Sequence, residues 1–142
     1  GLRGKVGIIV EAGDVWEVHH YACLIGFGAT AINPYMAFET IKLMKENKLV
    51  DPNLSYEKLE YNYIKAVNGE LLKIFSKMGI STLQSYQGAQ IFEILGLNKK
   101  FTSKYFPNTP SRIEGIGLIE VEKEVKKRYQ KAFPNSEISN LL

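Results

Sequence analysis

The chain has 142 residues, a length that suits one domain, and it is 45% hydrophobic and 23% charged, as an ordinary folded protein is. The formal net charge of +3 is too small an excess to indicate a nucleic-acid partner. The single cysteine, Cys23, excludes an internal disulfide framework and an iron–sulfur site built by this chain alone, and no segment approaches the roughly 20 apolar residues that span a bilayer.

The first elements follow from the segment KVGIIVE, residues 5–11, which is apolar and β-branched and predicts a buried strand. Asp14 is the expected N-cap of the next helix, with Glu17 in the place of a capping-box partner. That helix is expected to run to about Ile25 and to stop at the glycines that follow it. The opening GLRGKVGIIV lacks an initiator methionine and leads almost directly into the strand, which suggests a piece of a longer protein.

A second strand is predicted over residues 29–33, again without polar alternation. Asn33 as N-cap and Pro34 at the first helical position predict a helix to about Leu49. Because strand, helix and strand follow one another, the two strands are expected to be parallel.

A long helical pattern follows, for which Ser55 is the expected cap. It reaches Met78 and is ended by Gly79, and Asn68-Gly69 predicts a kink or a division into two helices. The periodicity of the apolar residues is helical on both sides of that interruption.

The last third is predicted as a third strand over 80–85, a short helix over 89–95, a loop from Asn98 to Gly117 and a final helix over about 118–133. Acidic residues fill the first half of the final helix and basic residues its second half, the order that the helix dipole favours. Residues 134–142 are expected to be a disordered tail.

This order of elements predicts an α/β fold with a short parallel sheet of three strands, covered by helices. A complete (βα) barrel needs about 250 residues. The expected architecture is therefore a segment of a (βα) barrel or of a layered α/β domain.

His19 and His20 are the only histidines of the chain, and they are adjacent in an apolar run. Neighbours on a helix point about 100° apart, and no second histidine stands at the i, i+4 spacing of a zinc pair. A Cys–His pair with Cys23 stays open, although we expect Cys23 to be a buried, inert thiol. The helix is apolar on nearly every side, so both histidines are expected to be hydrogen-bonded packing residues between this segment and other protein.

Several runs of the chain together match one known family: EVHH (17–20), GATAINPY (28–35), SKMGIS (76–81) and TPSRI (109–113). They lie within VEAGDVWEVHHYACLIGFGATAINPYMAFETI, NYIKAVNGELLKIFSKMGISTLQSYQGAQIFEILGL and YFPNTPSRIEGIG, in order and with natural spacing. The chain resembles the C-terminal part of the central domain of the glutamate synthase large subunit, ferredoxin- or NAD(P)H-dependent, over residues 1–133.

The resemblance implies a parent oxidoreductase that converts glutamine and 2-oxoglutarate into two glutamates. It implies a glutaminase domain, an FMN-binding barrel with an iron–sulfur cluster, and a central domain that resembles a partial, degenerate (βα) barrel and helps to form an ammonia channel. The expected partners of this chain are therefore the glutaminase and FMN domains, in the cytoplasm or, for a ferredoxin-type parent, in a plastid.

No catalytic, cofactor-binding or metal-binding residue of the family carries over to this chain. The isolated segment is expected to be inactive, to bind neither FMN nor metal, and to be prone to self-association. The one candidate residue is Arg112, in a predicted loop over 108–117 that leads towards the FMN domain. Its guanidinium is expected to anchor that loop to a carboxylate or to backbone carbonyls and so to couple the two domains.

Two other classes of function stay open from the sequence. One is an autonomous phosphate- or flavin-binding α/β module, for which GFGA at 26–29 is the best feature. Those glycines follow a predicted helix, whereas a phosphate loop follows a strand and opens a helix. The other is a small independent enzyme.

Overall fold

Two separate pairs of parallel strands form the sheets of the protein in a computed structural model that describes residues 2–134. The chain divides into two units, Gly1–Ala89 and Gln90–Leu142, each with one of the pairs. In the first unit a 3₁₀ turn (Leu2–Lys5) precedes β1 (Ile9–Glu11), α1 (Val18–Gly26), β2 (Ala31–Asn33), α2 (Tyr35–Glu46), α3 (Tyr56–Lys77) and α4 (Leu83–Tyr86). In the second unit β3 (Ile94–Leu97), α5 (Lys99–Tyr105), β4 (Ser111–Ile116) and α6 (Leu118–Ala132) follow one another.

The first unit is packed where α1 and α2 contact α3. Tyr86 of α4 is almost fully buried, and its ring centroid lies 4.4 Å from that of Phe75 on α3. Tyr63 of α3 meets Phe38 of α2 edge to face, with ring centroids 6.0 Å apart. Aromatic contacts of this kind add about 0.5–1.5 kcal/mol to the burial of the rings. The buried apolar side chains are Val15, Tyr21, Ala22, Ala29, Ala37, Leu71, Phe75 and Tyr86.

The prediction of an α/β fold with short parallel strands and helices is confirmed, but the single three-stranded sheet is wrong. Residues 80–85 are not a strand: the Thr82 hydroxyl accepts from the Ser85 amide and caps α4. The predicted helix over 89–95 is wrong as well, because Ile94–Leu97 is β3. Gly96, with φ +82, lies inside β3 at one of its register irregularities.

The predicted loop between Asn98 and Gly117 also differs from the structure, which contains α5 and β4 there. The Asn98 side chain accepts a hydrogen bond from the Phe101 amide at 2.8 Å and caps α5. β4 includes most of the predicted loop over 108–117. Aromatic rings of this segment do pack on one another, with the Phe101 and Tyr105 centroids 4.9 Å apart.

Two of the predicted helix starts are wrong by one to three residues. Glu17, not Asp14, is the N-cap of α1. Pro34 is the N-cap of α2, while Asn33 ends β2 and donates from Nδ2 to Oε2 of Glu11 at 3.3 Å. The register of β1 and β2 places Glu11 opposite Asn33, so this contact joins the carboxyl ends of the two strands.

The boundaries of α3 are confirmed, whereas α2 ends at Glu46 and not near Leu49 as predicted. Ser55 caps α3 by accepting from the Lys58 amide at 3.2 Å, and Gly79, with φ +69, follows the end of the helix. α3 is not divided in two, since it runs unbroken through Asn68 and Gly69. α6 lies where the final helix was predicted. The predicted tail, 134–142, lies outside the described residues apart from Pro134.

Candidate interdomain surface

Arg112, the one candidate residue from the sequence, lies on β4 in the second unit. Its Nε is 3.5 Å from Oε1 of Glu93, the residue that precedes β3. The carboxylate that Arg112 contacts therefore lies within the same unit, and the coupling role stays a prediction. Both side chains face water, with 80% of Arg112 and 38% of Glu93 exposed, so the pair contributes about 0–1 kcal/mol to stability. It orients the guanidinium without burying it.

Two large apolar side chains lie next to each other on the same pair of strands. Leu95 of β3 and Ile113 of β4 are partners in the register, and they are 64% and 62% exposed. Parallel strands ordinarily have both faces covered by other elements. We call these two side chains the β3–β4 apolar face. Its exposure makes this part of the second unit, which also contains Arg112, the candidate site for contact with other protein.

Two glycines of the second unit lie in close contact with neighbouring elements. Gly115 of β4 lies against β3, and Gly117, the N-cap of α6, lies against Asn98, the N-cap of α5. A Cβ on Gly115 would overlap the carbonyl oxygen of Gly96, and a Cβ on Gly117 would overlap Nδ2 of Asn98. The first contact is with backbone and cannot be relieved by a rotamer change. Gly115 is therefore required by the close approach of β4 to β3.

α6 begins at this surface and is capped by its own side chain. Oε2 of Glu120 accepts a hydrogen bond from the Gly117 amide at 2.9 Å. This bond is the main cause of a lowered pKa of the Glu120 carboxyl, and the backbone amide of Glu120 itself lowers that pKa further. No side chain of α6 is buried, and the apolar residues Leu118, Ile119 and Val125 are all more than half exposed. α6 therefore extends the exposed apolar surface of the second unit.

The histidines of the first unit are exposed rather than packed. Nδ1 of His20 accepts hydrogen bonds from the backbone amides of Trp16 at 3.1 Å and Glu17 at 3.2 Å. The prediction of a hydrogen-bonded histidine is thus confirmed for His20. The cover of both histidines by other protein stays a prediction, since both are exposed in this chain by itself. No hydrogen bond of His19 is found within the described part of the chain.

Cys23 is exposed, which corrects the prediction of a buried thiol. Protein atoms around the sulfur nevertheless raise the pKa of the thiol by desolvation, a shift away from the thiolate that a nucleophile needs. No group of three metal-ligating side chains lies together anywhere in residues 2–134. With one cysteine, the donor set does not fit an iron–sulfur cluster.

The glycine-containing segment GFGA closes α1 and does not form a phosphate cradle. The Phe27 amide donates to the Cys23 carbonyl, the Gly28 amide to that of Ile25, and the Ala29 amide to that of Leu24, all at 2.8–2.9 Å. An anion site in a loop depends on amides that point away from such partners. Because these three amides already donate to carbonyls of α1, GFGA is explained as the C-terminal end of that helix and not as a phosphate-binding loop.

A cavity of about 250 Å³ lies in the first unit between α1, β2 and α3. The hydroxyls of Tyr21 and Tyr63 lie 2.7 Å apart at its wall, and the Tyr63 hydroxyl also donates to the Trp16 carbonyl at 3.4 Å. The wall is otherwise mostly apolar, with Ile25, Ile32, Phe38, Ile64, Val67 and Leu71 among its residues.

Within the described helices, none combines the length and apolar character needed to cross a membrane.

Comparison with known proteins identifies the family. Residues 1–98 match the model of the glutamate synthase central domain. The chain is 47% identical to the glutamate synthase [NADPH] large chain of Bacillus subtilis over 94% of its own length and 9% of the relative's. It is 42% identical to glutamate synthase [NADH] of Schizosaccharomyces pombe over 96% of its length and 6% of the relative's. It is 41% identical to ferredoxin-dependent glutamate synthase 1, chloroplastic/mitochondrial, of Arabidopsis thaliana, over 94% and 9% of the two lengths.

These relatives are whole enzymes, and the chain spans less than a tenth of the length of each. The matches to them extend beyond residue 98, over nearly the whole chain, so the second unit also has counterparts in glutamate synthases. The chain belongs to the glutamate synthase central domain family.

Proposed function

We propose that the chain is a structural, channel-forming segment of a glutamate synthase that links the glutaminase and FMN-binding domains of the parent enzyme. In that enzyme glutamine and 2-oxoglutarate would give two glutamates, and this segment would hold the domains without supplying a complete active site. The segment would comprise residues 1–133, as the C-terminal part of a degenerate, barrel-like central domain. Family membership supports the reaction class. The chain covers only 9% of the length of the Bacillus subtilis relative, which supports a role as one part of a larger protein.

The observation that carries the structural role is the β3–β4 apolar face. Leu95 and Ile113 are register partners on a parallel pair and remain largely exposed. Burying two such side chains contributes about 1.5–3 kcal/mol each, which a chain gains only with a covering partner. In the proposal that partner is another part of the same glutamate synthase.

Arg112 is the proposed coupling residue of this surface. The ion pair with Glu93 leaves four-fifths of the Arg112 side chain exposed and free to reach a partner. A guanidinium presents several donors in a fixed plane and can bridge a second carboxylate or carbonyl. The arginine would therefore fix the relative position of the two partners, while the apolar side chains would provide the affinity.

The test uses a glutamate synthase that carries this segment, with Arg112→Ala as the variant. We expect glutamine hydrolysis to persist while glutamate formation from glutamine falls, and added ammonia to restore part of that loss. Arg128→Ala on exposed α6 is the matched control and should leave the ratio of the two activities unchanged. An unchanged ratio in Arg112→Ala would contradict the coupling role.

The isolated 142-residue chain is proposed to form no glutamate and to bind neither FMN nor an iron–sulfur cluster, both of which would belong to the parent. A purified, undenatured sample should show no flavin absorbance and no stoichiometric iron, and its melting temperature should not rise with FMN. A flavin-dependent rise would instead favour the autonomous binding module. The parent would work in the cytoplasm, or in a plastid if its donor is ferredoxin.

A further inference from the structure

The N-terminus of α1 is held by an imidazole. His20 is the third residue of the helix after the N-cap Glu17, the position at which a capping box ordinarily has Glu or Gln. Its Nδ1 accepts from two successive backbone amides, those of Trp16 and Glu17, at 3.1 and 3.2 Å. Both donors are backbone N–H groups, so the acceptor must be a nitrogen with a free lone pair.

Only one form of the ring supplies that lone pair. The neutral imidazole with its proton on Nε2 can accept at Nδ1, whereas the protonated ring donates from both nitrogens. A protonated ring would place N–H against N–H at the positive end of a helix, where the dipole also disfavours a cation. The cap therefore exists only while His20 is neutral.

This cap also fixes the contact between α1 and α3. The carbonyl of Trp16, whose amide donates to His20, accepts from the Tyr63 hydroxyl of α3 at 3.4 Å. The same hydroxyl lies 2.7 Å from that of Tyr21 on α1. One short network thus joins the imidazole, the turn before α1 and the cavity wall.

We propose that His20 is a positioning residue that makes the start of α1, and its connection to α3, sensitive to pH. When acidification protonates the ring of His20, the Trp16 and Glu17 amides lose their acceptor. The turn over residues 14–17 then opens, and Trp16 changes its surroundings. This role is separate from the proposed coupling at Arg112.

The other ionisable groups at this junction do not account for the same response. From α3 the group that reaches the network is Tyr63, and from α1 it is Tyr21, whose pKa is raised by burial and by the Tyr63 hydroxyl. The raised pKa keeps the Tyr21 phenol neutral at acidic pH, and the Tyr63 hydroxyl acts in this network as a hydrogen-bond donor. Asp14 and Glu17 are the nearby carboxylates along the chain, and no ion pair to His20 occurs among residues 2–134.

The first measurement is the tautomer of His20 in the ¹⁵N-labelled 142-residue chain at pH 8. A long-range ¹H–¹⁵N spectrum should show Nδ1 unprotonated and Nε2 protonated. The Nδ1–H tautomer would overturn the proposal, and this readout needs no variant to fold.

The second measurement is amide hydrogen exchange at Trp16 and Glu17, expressed as protection relative to the unfolded rate at each pH. Protection in the wild-type chain should fall about fivefold between pH 8 and pH 5, the change expected when one hydrogen bond of typical net strength is lost. The emission of Trp16, the single tryptophan, should shift with the same midpoint.

His20→Gln keeps an acceptor at the capping position that does not titrate, so its protection should be the same at both pH values. His19→Gln is the matched control on the adjacent exposed histidine and should behave as the wild type does. The proposal is overturned if His20→Gln keeps the wild-type pH response, or if His19→Gln removes it.

Discussion

Leu95 and Ile113 lie side by side in the register of β3 and β4, and both side chains are mostly exposed. A parallel pair with an open apolar face is unusual, because such strands are ordinarily covered on both sides. In the isolated chain, a second copy is the one protein always available to cover this face. The exposed pair therefore predicts self-association.

Ile113→Lys tests that prediction, because it places a charge in the middle of the β3–β4 apolar face. Removing one apolar side chain of this size from an interface costs about 1.5–3 kcal/mol, so the dissociation constant should rise at least roughly tenfold. Sedimentation velocity over a concentration series measures it. Leu49→Lys, at a residue 69% exposed after α2, is the control and should sediment as the wild type does. A monomeric wild-type chain at high concentration would contradict the prediction.

The sequence predicted those elements whose signals are local. The Ser55 hydroxyl, the positive φ at Gly79 and the charge order of α6 each act within one or two turns of chain. The apolar run before Gly96 fits a helix or a strand equally well. Its state depends on β4, whose residues pair with it from 17 to 19 positions further along the chain. Long-range pairing explains this error, whereas the errors at 80–85 and at Asn98 concern the local caps of α4 and α5.

In the candidate site, too, some features could be predicted from local sequence and others depend on long-range pairing. Arg112 was identified from its residue type and its place in a conspicuous motif, but its partner Glu93 depends on the register of β3 and β4. The cap by His20 was missed because the capping rule looks for Glu or Gln three residues after the cap. The adjacent histidines were the available signal, and their apolar surroundings directed attention to burial instead.

Gly115 and Gly69 should respond in opposite directions to alanine. A Cβ on Gly115 would overlap the Gly96 carbonyl, so Gly115→Ala should lower the free energy of unfolding by about 1–3 kcal/mol. Gly69 lies inside α3 with open space where the Cβ would be, so Gly69→Ala should raise it by about 0.5–1 kcal/mol. Urea unfolding monitored by circular dichroism measures both. Equal effects at the two glycines would contradict the close approach of β3 and β4.

Ser55→Ala should destabilise the first unit through the loss of one cap. The Ser55 hydroxyl accepts from the Lys58 amide at the start of the longest helix, and removing such a cap costs about 1 kcal/mol. Ser76→Ala, at an exposed residue near the end of the same helix, is the matched control and should change stability by less than about half as much. Similar losses in the two variants would show that the hydroxyl of Ser55 does not act as a cap.

Alkaline pH should destabilise the protein partly through Tyr21. The pKa of the Tyr21 hydroxyl is raised well above its ordinary value near 10. Burial is the main cause, and the hydrogen bond to Tyr63 adds to it. The folded state therefore favours the neutral phenol, and the unfolded chain ionises at lower pH than the folded one. The stability that this group contributes is fully present below about pH 10 and is lost as the pH rises further.

Tyr21→Phe removes the ionisable group while keeping the ring in the core. Its free energy of unfolding should fall less steeply between pH 9 and pH 11 than that of the wild type, although the variant starts lower because Tyr63 loses a hydrogen-bond partner. Tyr61→Phe, at an exposed position on α3, should retain the wild-type slope. Lysine ionisation acts on all three proteins alike, so the difference between slopes isolates Tyr21. Parallel slopes for Tyr21→Phe and the wild type would show that its hydroxyl is accessible to water in the folded chain.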